Sequence, residues 1–386
     1  MKKRVAIVVG VPTPYRDHLF ERLARSADYD IQALYCRDHQ PSQGWRLGAP
    51  LYPARCLRNL APAGWHERLL IGGINPGVRR GLRAFRPDAV IVYGYNALTT
   101  LLAVHWASKR RIPVLMRSDS NVLEEDGKPP LVLAFKRLFL RWLTSRVYGF
   151  LSVGTTNSQY WLHYGANPKR IFLARYAVDN EYFSRQAARY RARREQIRDE
   201  NGWRQRYLLL YVGRLVPVKG VEVLIDAVRR ICKVRADIGL LIVGEGPERR
   251  ALEKRARNLP QVFFLGFRDW NQLPKFYAAA DLFVLPSVRE PWGLVVNEAM
   301  ASGLPVIATR KVGAAQDLII EGQNGYLVPA SDAEAMASAI DRACQSEERL
   351  RTLGEGARPV IASWNYDATL SGFYQALASC LGSNEA

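Results

Sequence analysis

The stretch that decides the fold runs from Asp281 to Thr309, DLFVLPSVREPWGLVVNEAMASGLPVIAT. Its opening, DLFVLPS, is a short apolar run of the kind that forms a strand buried on both faces. Pro291 cannot extend a helix backwards but fits a first turn. A helix therefore starts near Gly293, runs through LVVNEAMAS and stops at Gly303. PVIAT is apolar again and reads as the next strand. Strand, loop, helix, glycine stop and strand make one βαβ unit, which requires a parallel sheet with its crossovers on the faces.

The same alternation extends outward in both directions. YLLLYVG, IGLLIVG and VFFLG are strand candidates, separated by the helical stretches GVEVLIDAVRRI and PERRALEKRARN; NQLPKFYAAA, also helical, leads into DLFVLPS. Nearer the start, RVAIVVG, DIQALYC, DAVIVYG, IPVLMRS and GFLSVG repeat the pattern. Strands and helices that alternate end to end indicate an α/β protein. At 386 residues the chain is too long for one ordinary domain and suits two. The expected division is a Rossmann-like domain over 1–184, a basic linker over 185–206, a second Rossmann-like domain over 207–365 and a terminal helix over 366–386. The linker assignment rests on RQAARYRARREQIRDENGWRQR, rich in arginine and poor in core residues.

Charge divides the chain in the same place. Residues 1–206 hold 35 Lys+Arg against 16 Asp+Glu, whereas residues 207–386 hold 20 of each, so the whole net charge of +19 sits in the first half. That asymmetry points to an anionic partner of the first domain: a phosphorylated substrate, an acidic membrane surface or nucleic acid. Two helices could meet a membrane. In 78–86, Val78, Leu82 and Phe85 form an apolar stripe beside Arg79, Arg80, Arg83 and Arg86; the plain reading turns the stripe to the core. Segment 131–147, LVLAFKRLFLRWLTSRV, is apolar nearly all round and is expected to be largely buried, with lipid contact as the alternative. No apolar run reaches the ~18 residues of a membrane span. Five cysteines without C-x-x-C spacing read as reduced thiols of a cytoplasmic protein.

The chemistry-bearing residues lie on loops. Glu290 falls at the carboxyl end of a strand, where doubly wound sheets bind ligands. Gly293, Leu294 and Val295 follow at a helix N-terminus, a ready anion site, and Glu298 lies about a turn further on. Acceptors flanking an anion site suit a ligand with phosphate in the middle and hydroxyls at both ends. Taken alone, each glutamate has a plainer explanation, a dipole-favoured acid or a solvated helical residue. They are joined, however, by Gly213, Arg214 and Lys219 after YLLLYV, whose cations can neutralise a diphosphate leaving group.

GRLVPVKG, LLIVGEGPERRAL, VFFLGF, EPWGLVVNEAMASGLPVIAT and VGAAQDLIIEGQNGYLVP together resemble the donor-binding half of retaining GT-B glycosyltransferases of family 4. The resemblance implies two Rossmann-like domains facing a cleft, with SWNYDATLSGFYQAL as a C-terminal helix crossing back to the first. It implies catalytic roles for Arg214 and Lys219 on the diphosphate and for Glu290 at the sugar hydroxyls. Glu298 would accept from the ribose, and Gly213, Gly293, Leu294 and Val295 would hold the donor; Phe267 and Arg268 would lie near the base. Where many members carry a glycine pair after the first strand, this chain has Pro12 to Arg16, so Arg16 is the candidate replacement contact. Where many carry a histidine, Asp119 is the nearest candidate on the acceptor or donor-sugar side. No cofactor is implied.

No metal is expected: the only D-x-D, Asp28-Tyr29-Asp30, reads as structural in a turn before the second strand. The expected reaction is retaining, metal-independent transfer of a sugar from a nucleotide-sugar donor, UDP- or GDP-linked, to a lipid-linked or other anionic acceptor at the inner membrane face. A sugar-nucleotide epimerase of the same architecture is the rival. A basic nucleic-acid-binding protein would explain the charge but not the neutral second half, and no nucleic-acid partner is expected.

Overall fold

The protein is described by a computed structural model, over residues 1–38, 48–61, 73–125 and 129–382. In chain order the elements are β1 (Lys3–Val9), α1 (Pro14–Ala24), β2 (Tyr29–Tyr35), β3 (Ala54–Cys56), α2 (Val78–Phe85), β4 (Ala89–Tyr93), α3 (Leu98–Ser108), β5 (Val114–Arg117), α4 (Pro130–Thr144), β6 (Gly149–Ser152), α5 (Thr155–His163) and β7 (Ile171–Leu173). There follow α6 (Asn180–Arg191), α7 (Arg194–Glu200), β8 (Tyr207–Val212), α8 (Val221–Ile231), β9 (Ile238–Val243), α9 (Arg249–Arg255), β10 (Val262–Gly266), α10 (Leu273–Ala279) and β11 (Leu282–Leu285). The last elements are α11 (Leu294–Ala301), β12 (Val306–Thr309), α12 (Gly313–Leu318), β13 (Gly325–Val328), α13 (Ala333–Ala343), α14 (Glu347–Ala362) and α15 (Tyr366–Leu381).

The chain forms two compact units: residues 1–176 together with α15, and residues 177–365. Among the described residues, the first unit holds a parallel sheet ordered β3-β2-β1-β4-β5-β6-β7 and the second one ordered β10-β9-β8-β11-β12-β13. In each, the first strand lies inside the sheet, and the strand order reverses beside it. That switch, between β1 and β4 and between β8 and β11, leaves a crevice at the strands' carboxyl ends where such sheets take ligands. The apolar runs are buried as their lack of alternation requires: Val5 to Val9, Tyr207 to Val212 and Leu282 to Leu285 are almost wholly enclosed. β2 begins at Tyr29, so two residues of Asp28-Tyr29-Asp30 are strand rather than turn. Tyr29 stacks on Tyr374 of α15 at 5.8 Å.

Three sequence expectations need correction. Residues 185–206 are exposed helix for the most part, as expected, but do not form a linker between the units. They fall within the second unit, mostly as α6 and α7, where Arg191, Arg194 and Arg198 donate to helix ends. Arg198 donates to Ala279 O at the end of α10, at 2.7 and 3.0 Å, and Arg191 donates to Ser302 O after α11 at 3.0 Å. Carbonyls at a helix C-terminus have no intrahelical donor, and a guanidinium supplies one. The first unit accordingly gives way to the second at Tyr176, not at 184. Nor is α4 largely buried: Leu140 and Leu143 enter the core, while Leu131, Val132, Phe135, Leu138 and Trp142 face outward. In α2, by contrast, Val78 and Leu82 pack inside and Arg79, Arg80 and Arg83 face solvent.

Candidate active site

The second unit gathers most of the expected site at its switch point. β8 leads through Gly213 and Arg214 into a 3-10 turn, Pro217–Lys219, and Gly220 then starts α8. Gly220 sits at φ +63, and a Cβ there would lie 2.3 Å from Pro286 O. Only glycine lets this loop press so closely against the one that follows β11. Val288 N donates to Val218 O at 2.9 Å and locks the two loops together.

This closure sets Lys219 against Glu290. Their side chains form a salt bridge that is largely shielded from solvent. Ser287 donates to the same Glu290 oxygen at 3.4 Å, and the Glu290 backbone bridges to Val312. Glu290 is thus held at both backbone and carboxylate. Arg214 is exposed, and its guanidinium has no ion pair among the described residues. Gly293, at φ +92, caps α11; a Cβ there would crowd Glu290 and Leu285 at 3.1 Å. The first amides of α11, on Leu294 and Val295, have no intrahelical acceptor and meet an anion favourably.

Glu298, on α11, accepts a 2.8 Å hydrogen bond from the Tyr277 hydroxyl. Burial pushes its carboxyl up to about 7, against the downward pull of Tyr277. It is an acceptor held in place by one donor. Phe267 and Arg268 stand apart, exposed beyond the end of β10, two strands and so about 10 Å from β8. Arg268 lies over the Phe276 ring at 5.8 Å.

Arg16 and Asp119 belong to the first unit, where they line one cavity with Arg37 and Arg117. Arg16 opens α1 and donates to Val11 O at 3.1 Å. Sequence reading passed over Arg37, Arg117 and Tyr277. The two arginines carried a usable signal: each closes or directly follows an apolar strand, the placement that singled out Arg214. Tyr277 gave none, since a tyrosine in an alanine-rich helix reads as core.

Residues 193–360 match the family Glycosyl transferases group 1. The sulfoquinovosyl transferase SQD2 of Arabidopsis thaliana is 34% identical over 391 residues, covering 95% of this chain and 71% of its own length. The chain is a group 1 glycosyltransferase. A lipopolysaccharide core biosynthesis glycosyltransferase of Rhizobium meliloti, LpsE, is 35% identical over 176 residues, 45% of this enzyme and 50% of that protein. Among solved structures, Anabaena HepE in complex with UDP and glucose superposes with a TM-score of 0.73 at 17% identity, over 98% of this enzyme and 100% of that chain. The fold of the glycosyltransferase is therefore GT-B.

Proposed function

We propose that this glycosyltransferase is a retaining family 4 enzyme. It moves a sugar from a UDP- or GDP-linked donor to a hydroxyl of a lipid-linked saccharide, in building a cell-surface polysaccharide. The observation that carries the reading is the convergence of Lys219, Arg214, Glu290 and the α11 N-terminus on one switch point. Cations and helix amides suit a departing diphosphate, Glu290 suits sugar hydroxyls, and Glu298 suits ribose hydroxyls. The UDP and glucose bound in the Anabaena structure, and the lipopolysaccharide core biosynthesis enzyme among the relatives, support the same reading.

In the proposed step the bond from the anomeric carbon to the β-phosphate oxygen breaks. The acceptor oxygen bonds to that carbon on the same face, and its proton passes to the leaving phosphate oxygen. Arg214 and Lys219 take up the charge that develops there, so the step calls for no metal. Positioning and leaving-group stabilisation supply the acceleration. Turnover should be unchanged by a chelator, and the product's anomeric configuration, read by NMR, should match the donor's; inversion would sink the retaining assignment. Conversion of donor without any acceptor would favour the epimerase.

The acceptor's setting is read from α4. Phe135 and Leu138 are 67% and 69% exposed on one helix face, with Leu131 and Trp142 in line. Arg137, Arg141 and Arg146 are exposed around them, Arg146 over the Trp142 ring at 4.3 Å. An apolar face edged by arginines and a tryptophan fits an anionic lipid surface. No helix among the described residues is long and apolar enough to cross a membrane. We place the enzyme at the cytoplasmic membrane face, peripherally bound. Sedimentation with vesicles containing phosphatidylglycerol, but not with pure phosphatidylcholine, is the expected result; equal behaviour with both would remove the membrane from the account.

A further inference from the structure

The first unit has a switch point of its own, and a cavity of about 300 Å³ opens there. Its walls come from the carboxyl ends of β1, β2, β4 and β5. Three arginines line it, Arg16, Arg37 and Arg117, against one acid, Asp119. Asp17, the next acid along α1, is engaged by the hydroxyls of Tyr35 and Tyr52, at 3.2 and 2.5 Å, and does not line the cavity. The described lining thus has an excess of two positive charges.

Arg117 and Arg16 are anchored yet keep donors to spare. Arg117, 3% exposed, donates to Ala174 O at 2.6 Å and stacks on Tyr176 and Phe373. Arg16 stacks on Tyr15 and Tyr93. Ser118, only 8% exposed, has a hydroxyl with no partner, and so do the Tyr93 hydroxyl and the Nε–H groups of Arg16 and Arg37. Buried polar groups are ordinarily satisfied, so four orphans in or around one cavity mark a place for a ligand's acceptors. Guanidinium donors at fixed positions match the oxygens of a phosphate, sulfonate or carboxylate.

We infer that this cavity is an oxyanion subsite, built for a dianionic group such as a phosphate monoester carried by the substrate. The inference rests on the glycosyltransferase reading for what that substrate is. The oxyanion belongs to the acceptor.

The test is calorimetric binding to the full chain. Glycerol 3-phosphate is compared with glycerol, and UDP-glucuronate with UDP-glucose, for wild type, Arg37→Gln, Arg117→Gln and Lys219→Ala. UDP binding serves as the fold control. For an acceptor oxyanion, both arginine variants lose at least tenfold in affinity for glycerol 3-phosphate and stay within twofold of wild type for UDP, while Lys219→Ala does the reverse. The acceptor assignment is overturned if the arginine variants lose tenfold for UDP-glucuronate alone. The subsite is overturned if neither anionic probe binds better than its neutral counterpart, or if the arginine variants bind both as wild type does. It is equally overturned if those variants weaken UDP as much as Lys219→Ala does, because the arginines would then serve the donor diphosphate. Failure of wild type to bind UDP would instead strike the donor reading, since glycerol 3-phosphate needs no donor to bind.

Discussion

Among the described residues each unit buries one arginine almost completely, and the two are treated in opposite ways. Arg198 in the second unit is 7% exposed and spends its donors on Ala279 O, Arg206 O and Asp281. Arg117 in the first unit is 3% exposed, makes one hydrogen bond and otherwise rests on aromatic rings at a cavity wall. Both are buried cations. One is neutralised and makes four side-chain hydrogen bonds; the other keeps charge and donors available. Burial alone therefore does not tell a structural arginine from a binding one, whereas the count of satisfied donors does.

That contrast can be broken by mutation. Asp281→Ala strips the carboxylate from Arg198 and from Arg194, and leaves the Leu208 amide, which donates to it at 2.7 Å, unpaired. Breaking a buried pair of this kind costs about 3–5 kcal/mol, to be read in denaturant unfolding; a loss under 1 kcal/mol would make the Arg198 cluster incidental. Lys219→Ala should lower turnover by about 10²–10³-fold, the scale of losing one charge stabiliser at a leaving group. Near-wild-type transfer would remove Lys219 from the chemistry.

Glu298→Gln comes next, and its effect depends on pH. The carboxyl is raised from 4.5 to about 7, so the native state keeps a proton that the unfolded chain releases between those values. Native stability thus falls as pH rises through that window, by at most ~3 kcal/mol. Glutamine does not titrate, so the variant should gain on wild type between pH 5 and pH 8; parallel stability curves would contradict the buried-carboxyl account. Nucleotide affinity should fall in the variant, because an amide is a weaker acceptor for ribose hydroxyls than a carboxylate.

Arg117→Met should cost about 1–3 kcal/mol, because the buried Ala174 carbonyl loses its donor, while abolishing glycerol 3-phosphate binding. A stability loss as large as that of Asp281→Ala would erase the distinction between the two arginines. Phe135→Ser on α4 should leave stability within about 0.5 kcal/mol, as surface changes do, and reduce binding to anionic vesicles. Unchanged vesicle binding would point away from α4.

The βαβ order was legible because buried parallel strands are continuous apolar runs and glycines end their helices; Asp281 to Thr309 shows both. Arg214, Lys219 and Glu290 were legible because charges just after such runs must lie at the ligand end of the sheet. Their geometry was not: the salt bridge between Lys219 and Glu290 depends on Gly220 letting two loops touch, 71 residues apart in sequence. The arginines of 185–206 misled because a charge-rich helix looks solvated whether its guanidinium groups meet water or helix-end carbonyls. α4 misled in the other direction, since an apolar helix with an exposed face has the same composition as a buried one. Periodicity shows that an apolar face exists and leaves open what covers it.

The measurement that bears most directly on the account is calorimetric titration of UDP and GDP into wild type, Lys219→Ala and Arg37→Gln. One nucleotide should bind wild type, lose at least tenfold in Lys219→Ala and be unaffected by Arg37→Gln; at 100 times its dissociation constant it should stabilise the fold by about 2.7 kcal/mol. Binding of neither nucleotide, or binding that survives in Lys219→Ala and disappears in Arg37→Gln, would contradict the assignment of donor chemistry to the second unit.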